Sequence, residues 1–216
     1  MIVINFKTYP QATGEKAVEL AKLCEKISNK TKVDFILGLQ AADIFRVSSQ
    51  VKIPVFAQHL DPFPPGRNTG FTLAPGLKQA GTKGVFLNHS EHPFQSLDDV
   101  FKAIEIAKVE GLQTLVFSKD VKTSIAIDKH SPDYIALEEP SLVSGDTAMI
   151  EFPDLKQEIL KFSQSIKSVP LIGAGIKTKK DIEESLKLGV KGIAVASGVI
   201  KVDDPEKVLL EFASSF

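Results

Sequence analysis

The segment Asn88-His89-Ser90-Glu91 follows directly on an apolar run, Gly84-Val85-Phe86-Leu87, that reads as a buried strand. Near the front, Ile2-Val3-Ile4 is followed in the same way by Asn5-Phe6-Lys7, and further on Tyr134-Ile135-Ala136-Leu137 is followed by Glu138. Strands that end abruptly in polar and ionisable residues are where parallel α/β proteins keep their chemistry. A carboxylate base, a cation and a histidine able to donate a hydrogen bond suit proton abstraction beside a carbonyl, with stabilisation of the resulting enediolate. Glycoside cleavage would call for two facing carboxylates. Metal-assisted hydrolysis would call for clustered ligands, and the four histidines are scattered. Taken singly, Glu138, His89 and Lys7 each read as readily as a solvated or locally bonded side chain. Their shared position after strands changes that weighting.

Two small-residue turns point to an anion. Gly173-Ala174-Gly175 follows the apolar run ending at Ile172, and Ala196-Ser197-Gly198 follows the one ending at Val195. Small residues let backbone amides approach a phosphate, and a helix N-terminus behind them adds a favourable dipole. Either turn alone is ordinary tight-turn chemistry. The pair, on consecutive strands, points to a phosphorylated substrate.

The elements that must position these groups alternate along the chain. Strands are expected at 2–6, 32–38, 53–57, 84–87, 112–117, 133–138, 169–173 and 191–196. Between them, 15–29 places Ala17, Leu20, Ala21, Cys24 and Ile27 on one helical face, and 97–109, 154–167, 178–188 and 204–214 carry similar patterns. Ser96, Thr178 and Asp203 supply helix-capping signals. Strands that are apolar almost throughout, each followed by a helix, require a parallel sheet covered on its outer face. Eight such units predict a closed (β/α)8 barrel occupying residues 1–216 as one domain, although such barrels typically run to about 250 residues. An open doubly wound sheet is the competitor. Against it, no GxGxxG follows the first strand, and polar residues cluster after many strands rather than at one switch point.

Two loops stand out. Residues 58–70 are long and carry three prolines, while 139–149, small and polar around Leu142 and Val143, suit a mobile lid. The composition is ordinary for a soluble protein, with 43% hydrophobic and 25% charged residues. A net charge of −1 supplies no global basic field for nucleic acid or an anionic membrane. Cys24 is the only cysteine, which excludes an internal disulfide and fits a reducing cytoplasm. No apolar run approaches the ~18 residues of a membrane helix, and no secretory signal opens the chain.

With these residues in order, the chain resembles the triosephosphate isomerase family, in particular its short archaeal form. The resemblance runs over essentially the whole length. It is carried by Asn5-Phe6-Lys7-Thr8-Tyr9, Phe56-Ala57-Gln58-His59 with Asp61 and Thr69-Gly70, and Leu87-Asn88-His89-Ser90-Glu91. Ile135-Ala136-Leu137-Glu138, Gly173-Ala174-Gly175-Ile176, Ala196-Ser197-Gly198-Val199, Lys201 and Asp204-Pro205 complete it. The resemblance implies a TIM barrel that interconverts dihydroxyacetone phosphate and D-glyceraldehyde 3-phosphate in glycolysis and gluconeogenesis. The roles it brings are the family's own: Glu138 as base, neutral His89 polarising the carbonyl, and Lys7 stabilising the oxyanion and the phosphate. Asn5, Phe6 and Lys7 would bind the substrate, Glu91 would support Lys7, and backbone amides around Val143, Gly175, Ala196 and Ser197 would hold the phosphate. The resemblance further implies no metal and no organic cofactor. It suggests a homo-oligomer, either a dimer built through 58–70 or the tetramer of the short archaeal form.

The chain departs from the family pattern at three places. Glu139 stands where the family usually has proline after the catalytic Glu, with Pro140 one residue later, so Glu139 is a rival base. Ungapped matches on both sides favour Glu138, and a one-residue slide would turn the side chain to the other face of the strand. The lid tip reads Val143-Ser144-Gly145-Asp146 in place of a more glycine-rich sequence, and Ser144 is expected to slow it if that position needs positive φ. His92-Pro93 replaces the usual arginine pair after Glu91.

Overall fold

Closure of the sheet is decided by its first strand. In the computed structural model, which describes residues 1–142 and 148–216, β1 (Ile2–Asn5) pairs in parallel with both β2 (Phe35–Leu39) and β8 (Gly192–Val195). Ile2 stands opposite Phe35 on one side and Ile193 on the other. Between them run β3 (Val55–Ala57), β4 (Gly84–Leu87), β5 (Gln113–Ser118), β6 (Tyr134–Leu137) and β7 (Val169–Ile172), each parallel to its neighbours in chain order. The sheet is a closed eight-stranded barrel, and the open doubly wound alternative is excluded.

Strand alternation separates two cores. Val3, Ile36, Phe56, Phe86, Leu115, Phe117, Ala136, Leu171 and Ala194 form a cluster to which every strand contributes, filling the barrel interior. Their out-of-phase neighbours, such as Ile2, Ile4, Leu37 and Ile172, join the larger layer between strands and helices. The interior is a packed jigsaw in which small residues make room for rings. A Cβ on Gly38 would overlap the Phe86 ring, which packs at 5.4 Å against Phe117.

The outer layer begins with α1 (Glu15–Thr31), whose buried face carries the predicted Ala17, Leu20, Ala21, Cys24 and Ile27. It ends at Lys32 (φ 63), where the backbone N–H returns to Ser28 O, so β2 starts later than the apolar pattern indicates. Next come α2 (Ala41–Ser48) and α3 (Ala74–Gln79), two short helices at places the repeat predicts but whose bounds it does not mark. After these, α4 (Leu97–Val109) is capped by Ser96 as expected, its hydroxyl accepting from Asp99 N–H. A further short helix, α5 (Val121–Asp128), likewise placed by the repeat alone, is capped by Asp120. Farther along lie α6 (Pro153–Ser165) and α7 (Lys179–Lys187), the latter opened by a reciprocal box of Thr178 and Asp181. A single turn, α8 (Ser197–Ile200), precedes α9 (Pro205–Ala213). The α9 cap is Asp204, not Asp203: its carboxylate accepts from Lys207 N–H, and Pro205 occupies the first helical position. Among the described residues, no helix is long and apolar enough to cross a membrane.

Candidate active site

The C-terminal ends of β1, β4 and β6 deliver Asn5, Lys7, His89 and Glu138 into one pocket, which Gly175, Ala196 and Ser197 line from the other side. Glu138 continues the alternation of β6: Ala136 fills the barrel and Glu138, two residues on, also turns inward. The side chain of Glu138 is only 8% exposed, with Oε2 buried and without a hydrogen-bond partner. Its carboxyl group lies across Gly173, so close that any Cβ there would overlap Oε1. Glycine after β7 is therefore a steric requirement of the carboxylate as well as a turn residue. The rival Glu139 faces elsewhere. Its Oε1 accepts from Ser141 N–H and Oγ–H, at 3.2 and 2.9 Å, capping the 3-10 turn Pro140–Leu142.

His89 reaches the interior by a different route. Simple alternation from Phe86 would point Asn88 inward, but Asn88 adopts φ 60 and resets the phase. Its amide holds that turn: Nδ2 donates to Phe117 O at 3.1 Å and Oδ1 accepts from Phe94 N–H at 3.2 Å. The His89 ring then lies edge-on to Phe117 at 4.7 Å, with Nε2 3.7 Å from Glu138 Oε2. Its Nδ1 is 3.1 Å from the backbone N–H of Glu91. A backbone N–H can only donate, so Nδ1 accepts and the ring proton resides on Nε2. Histidine in this position is a neutral donor aimed into the pocket.

Electrostatics reinforce both assignments. Burial pushes Glu138 up to about 8, with Lys7 pulling against it and Glu91 adding repulsion. Burial lowers His89 to about 4; Glu91 opposes this and Lys7 adds to it. The Lys7 ammonium meets Glu91 Oε1 at 2.7 Å. Its backbone sits at φ 47, uncommon for a lysine. Gln58 secures this turn: its Nε2 lies within 3.0–3.1 Å of Lys7 O, Asn5 Oδ1 and Gly38 O. Lys7 N–H also donates to Asn5 Oδ1 at 3.0 Å. Gln58 was legible in the sequence as part of the Phe56-Ala57-Gln58-His59 match, but nothing local to it announces that it holds Lys7.

Two expected participants stand apart. Phe6 does not line the pocket: it is out of phase with Asn5 and Lys7, and its ring is fully buried in the layer between barrel and helices. Val143 and the lid-tip residue Ser144 lie outside the described residues. At the substituted arginine position, the His92 ring stacks on His59 with centroids 4.0 Å apart. Among the described residues, no group of three or more His, Cys, Asp or Glu side chains converges as metal ligands would.

Comparison with known proteins gives this geometry its setting. The triosephosphate isomerase family model matches residues 1–214. The triosephosphate isomerase of Methanobrevibacter smithii is 36% identical over 99% of this chain and 97% of its own length. That of Methanobacterium bryantii is 38% identical, over 99% and 96%. The chain belongs to the triosephosphate isomerase family. The triosephosphate isomerase of Saccharolobus solfataricus is 38% identical over 100% of this chain and 95% of its own length. At the level of fold, a crystal structure of triosephosphate isomerase from Bartonella henselae superimposes with a TM-score of 0.76 at 18% identity, covering 99% of this chain and 97% of that one. Like the family to which it belongs, the chain is an intramolecular aldose–ketose isomerase acting on a triose phosphate.

Proposed function

We propose that Glu138, His89 and Lys7 carry out the interconversion of dihydroxyacetone phosphate and D-glyceraldehyde 3-phosphate through an enediolate. The observation that carries this reading is the opposition of two side chains across one pocket: a buried carboxyl without a partner, and a neutral imidazole donating from Nε2. Glu138, once ionised, takes the proton from the carbon beside the carbonyl and returns it to the neighbouring carbon. His89 donates to the oxygen on which charge develops and relays protons between the two oxygens. Because its ordinary cationic form is suppressed, it acts as a weak acid matched to an enediol rather than as a strong one. Lys7 balances the developing negative charge, held in place by Glu91 and, with Asn5, by Gln58.

The phosphate is bound by backbone amides around Gly175, Ala196 and Ser197, and exclusion of water from the enediolate suppresses loss of phosphate. The protein acts in the cytoplasm as a homo-oligomer assembled through residues 58–70. In support, that loop is braced by Asp61, which bonds Thr72 through its backbone and side chain, and Phe63 within it lies 5.1 Å, centroid to centroid, from Phe71 just past its end, both rings exposed.

Running the reaction in deuterium oxide tests the proton-transfer mechanism. Solvent deuterium is expected on the carbon next to the product carbonyl, because a carboxylate base exchanges its proton between the two transfers. Full retention of the substrate's own hydrogen would indicate a hydride shift and contradict the role given to Glu138.

A further inference from the structure

At the seam where the barrel closes, the ladder between β1 and β8 ends with Ile4 opposite Val195. Past that rung one chain runs to Lys7 and the other to the turn at Ser197, and both of these residues line the catalytic pocket. A side-chain contact joins the two segments again: Lys201 Nζ stands 4.4 Å from the centroid of the Tyr9 ring. Each partner is tied through its backbone to the segment it would hold. Lys201 N–H donates to Ser197 O at 3.0 Å, closing the single turn of α8. Tyr9 N–H donates to Phe6 O at 3.4 Å, and its carbonyl accepts from Ala12 N–H at 2.8 Å and from the Thr13 hydroxyl at 3.0 Å. The Tyr9 ring is half-buried against the layer between barrel and helices, whereas Lys201 is exposed. Neither residue lines the catalytic pocket.

We infer that Lys201 and Tyr9 are positioning residues whose contact sets the spacing between Lys7 and the turn at Ser197. The inference rests on reading that turn as part of the phosphate cradle. A triose phosphate carries its reacting oxygens and its phosphate on one short chain, so the two ends of its site must keep a matching separation. Backbone pairing fixes that separation only as far as Val195. Beyond it, the Tyr9 ring offers the ammonium a platform, and attraction to the negative face of the ring draws the Ser197 turn toward the segment that carries Lys7. This attraction needs the ring rather than its hydroxyl, and another cation of similar reach can supply it.

The test is a double-mutant cycle of Tyr9→Leu and Lys201→Met, with Tyr9→Phe and Lys201→Arg as conservative partners. Tyr9→Leu and Lys201→Met should each lower kcat/KM for glyceraldehyde 3-phosphate roughly threefold. The double variant should be no worse than either single one, and both conservative variants should keep most of the activity. Inorganic phosphate touches the turn alone, so its inhibition constant should not change in any variant. Unchanged kcat/KM in Tyr9→Leu would overturn the inference, and so would losses that multiply in the double variant. Phosphate inhibition weakened in step with kcat/KM would also overturn it, by showing that Lys201 acts as a plain charge on the anion. Absence of phosphate inhibition in the wild type would instead overturn the cradle reading itself.

Discussion

At the scale of single residues, the site depends on a carboxyl group held where its charge is unwelcome. Glu138 has a folded-state value near 8 against an ordinary 4.5, so its contribution to stability is intact below about 4.5 and is lost as pH rises through 8. Glu138→Gln removes that penalty. The variant should match the wild type near pH 4.5 and exceed it at pH 9 by on the order of 5 kcal/mol in urea unfolding. Equal stability at pH 9 would mean that the carboxyl is not buried in solution. The same placement predicts a strict demand at Gly173. Gly173→Ala should keep the fold, read by circular dichroism, yet lower kcat about 100-fold by displacing the carboxylate. The inward placement of Glu138 was legible in the sequence because it needs only strand phase, and phase also separates it from Glu139. His89 was legible by motif alone, since its inward turn depends on the left-handed conformation of Asn88, which no periodicity reports. Phe6 illustrates the opposite case: membership of a motif does not place a side chain in the pocket.

Among the elements, strands were read more securely than helices. All eight strands were expected where they lie, because continuous apolar runs are the signature of strands buried on both faces. The short helices α2, α3 and α5 were expected only as members of the repeat, because six to eight residues do not fill the 11- to 18-residue window over which helical periodicity is read. Long-range side-chain bonds were least visible. Gln58, just past β3, holds the ends of β1 and β2 together through acceptors at Asn5, Lys7 and Gly38. Gln58→Leu is therefore expected to strand these acceptors and release the unfavourable φ of Lys7. The measurable outcome is a loss of about 1–3 kcal/mol in stability together with a fall in kcat. A variant with unchanged kcat would show that Lys7 needs no such support.

For the whole molecule, barrel closure converts remote sequence positions into one site: β1, β4 and β6 converge only because β8 returns to β1. Eight strand–helix repeats made that closure predictable, whereas assembly was accessible only through resemblance. If the exposed Phe63 and Phe71 are buried between subunits, Phe63→Asp should shift sedimentation toward a smaller species. An unchanged sedimentation coefficient would contradict an interface built on this loop. The most direct test of the central claim is a coupled assay of glyceraldehyde 3-phosphate turnover in wild type, Glu138→Gln and Glu139→Gln. Fast turnover in the wild type and in Glu139→Gln, with a loss of at least about 1,000-fold in Glu138→Gln, is the predicted result. Turnover that survives in Glu138→Gln and disappears in Glu139→Gln would contradict it.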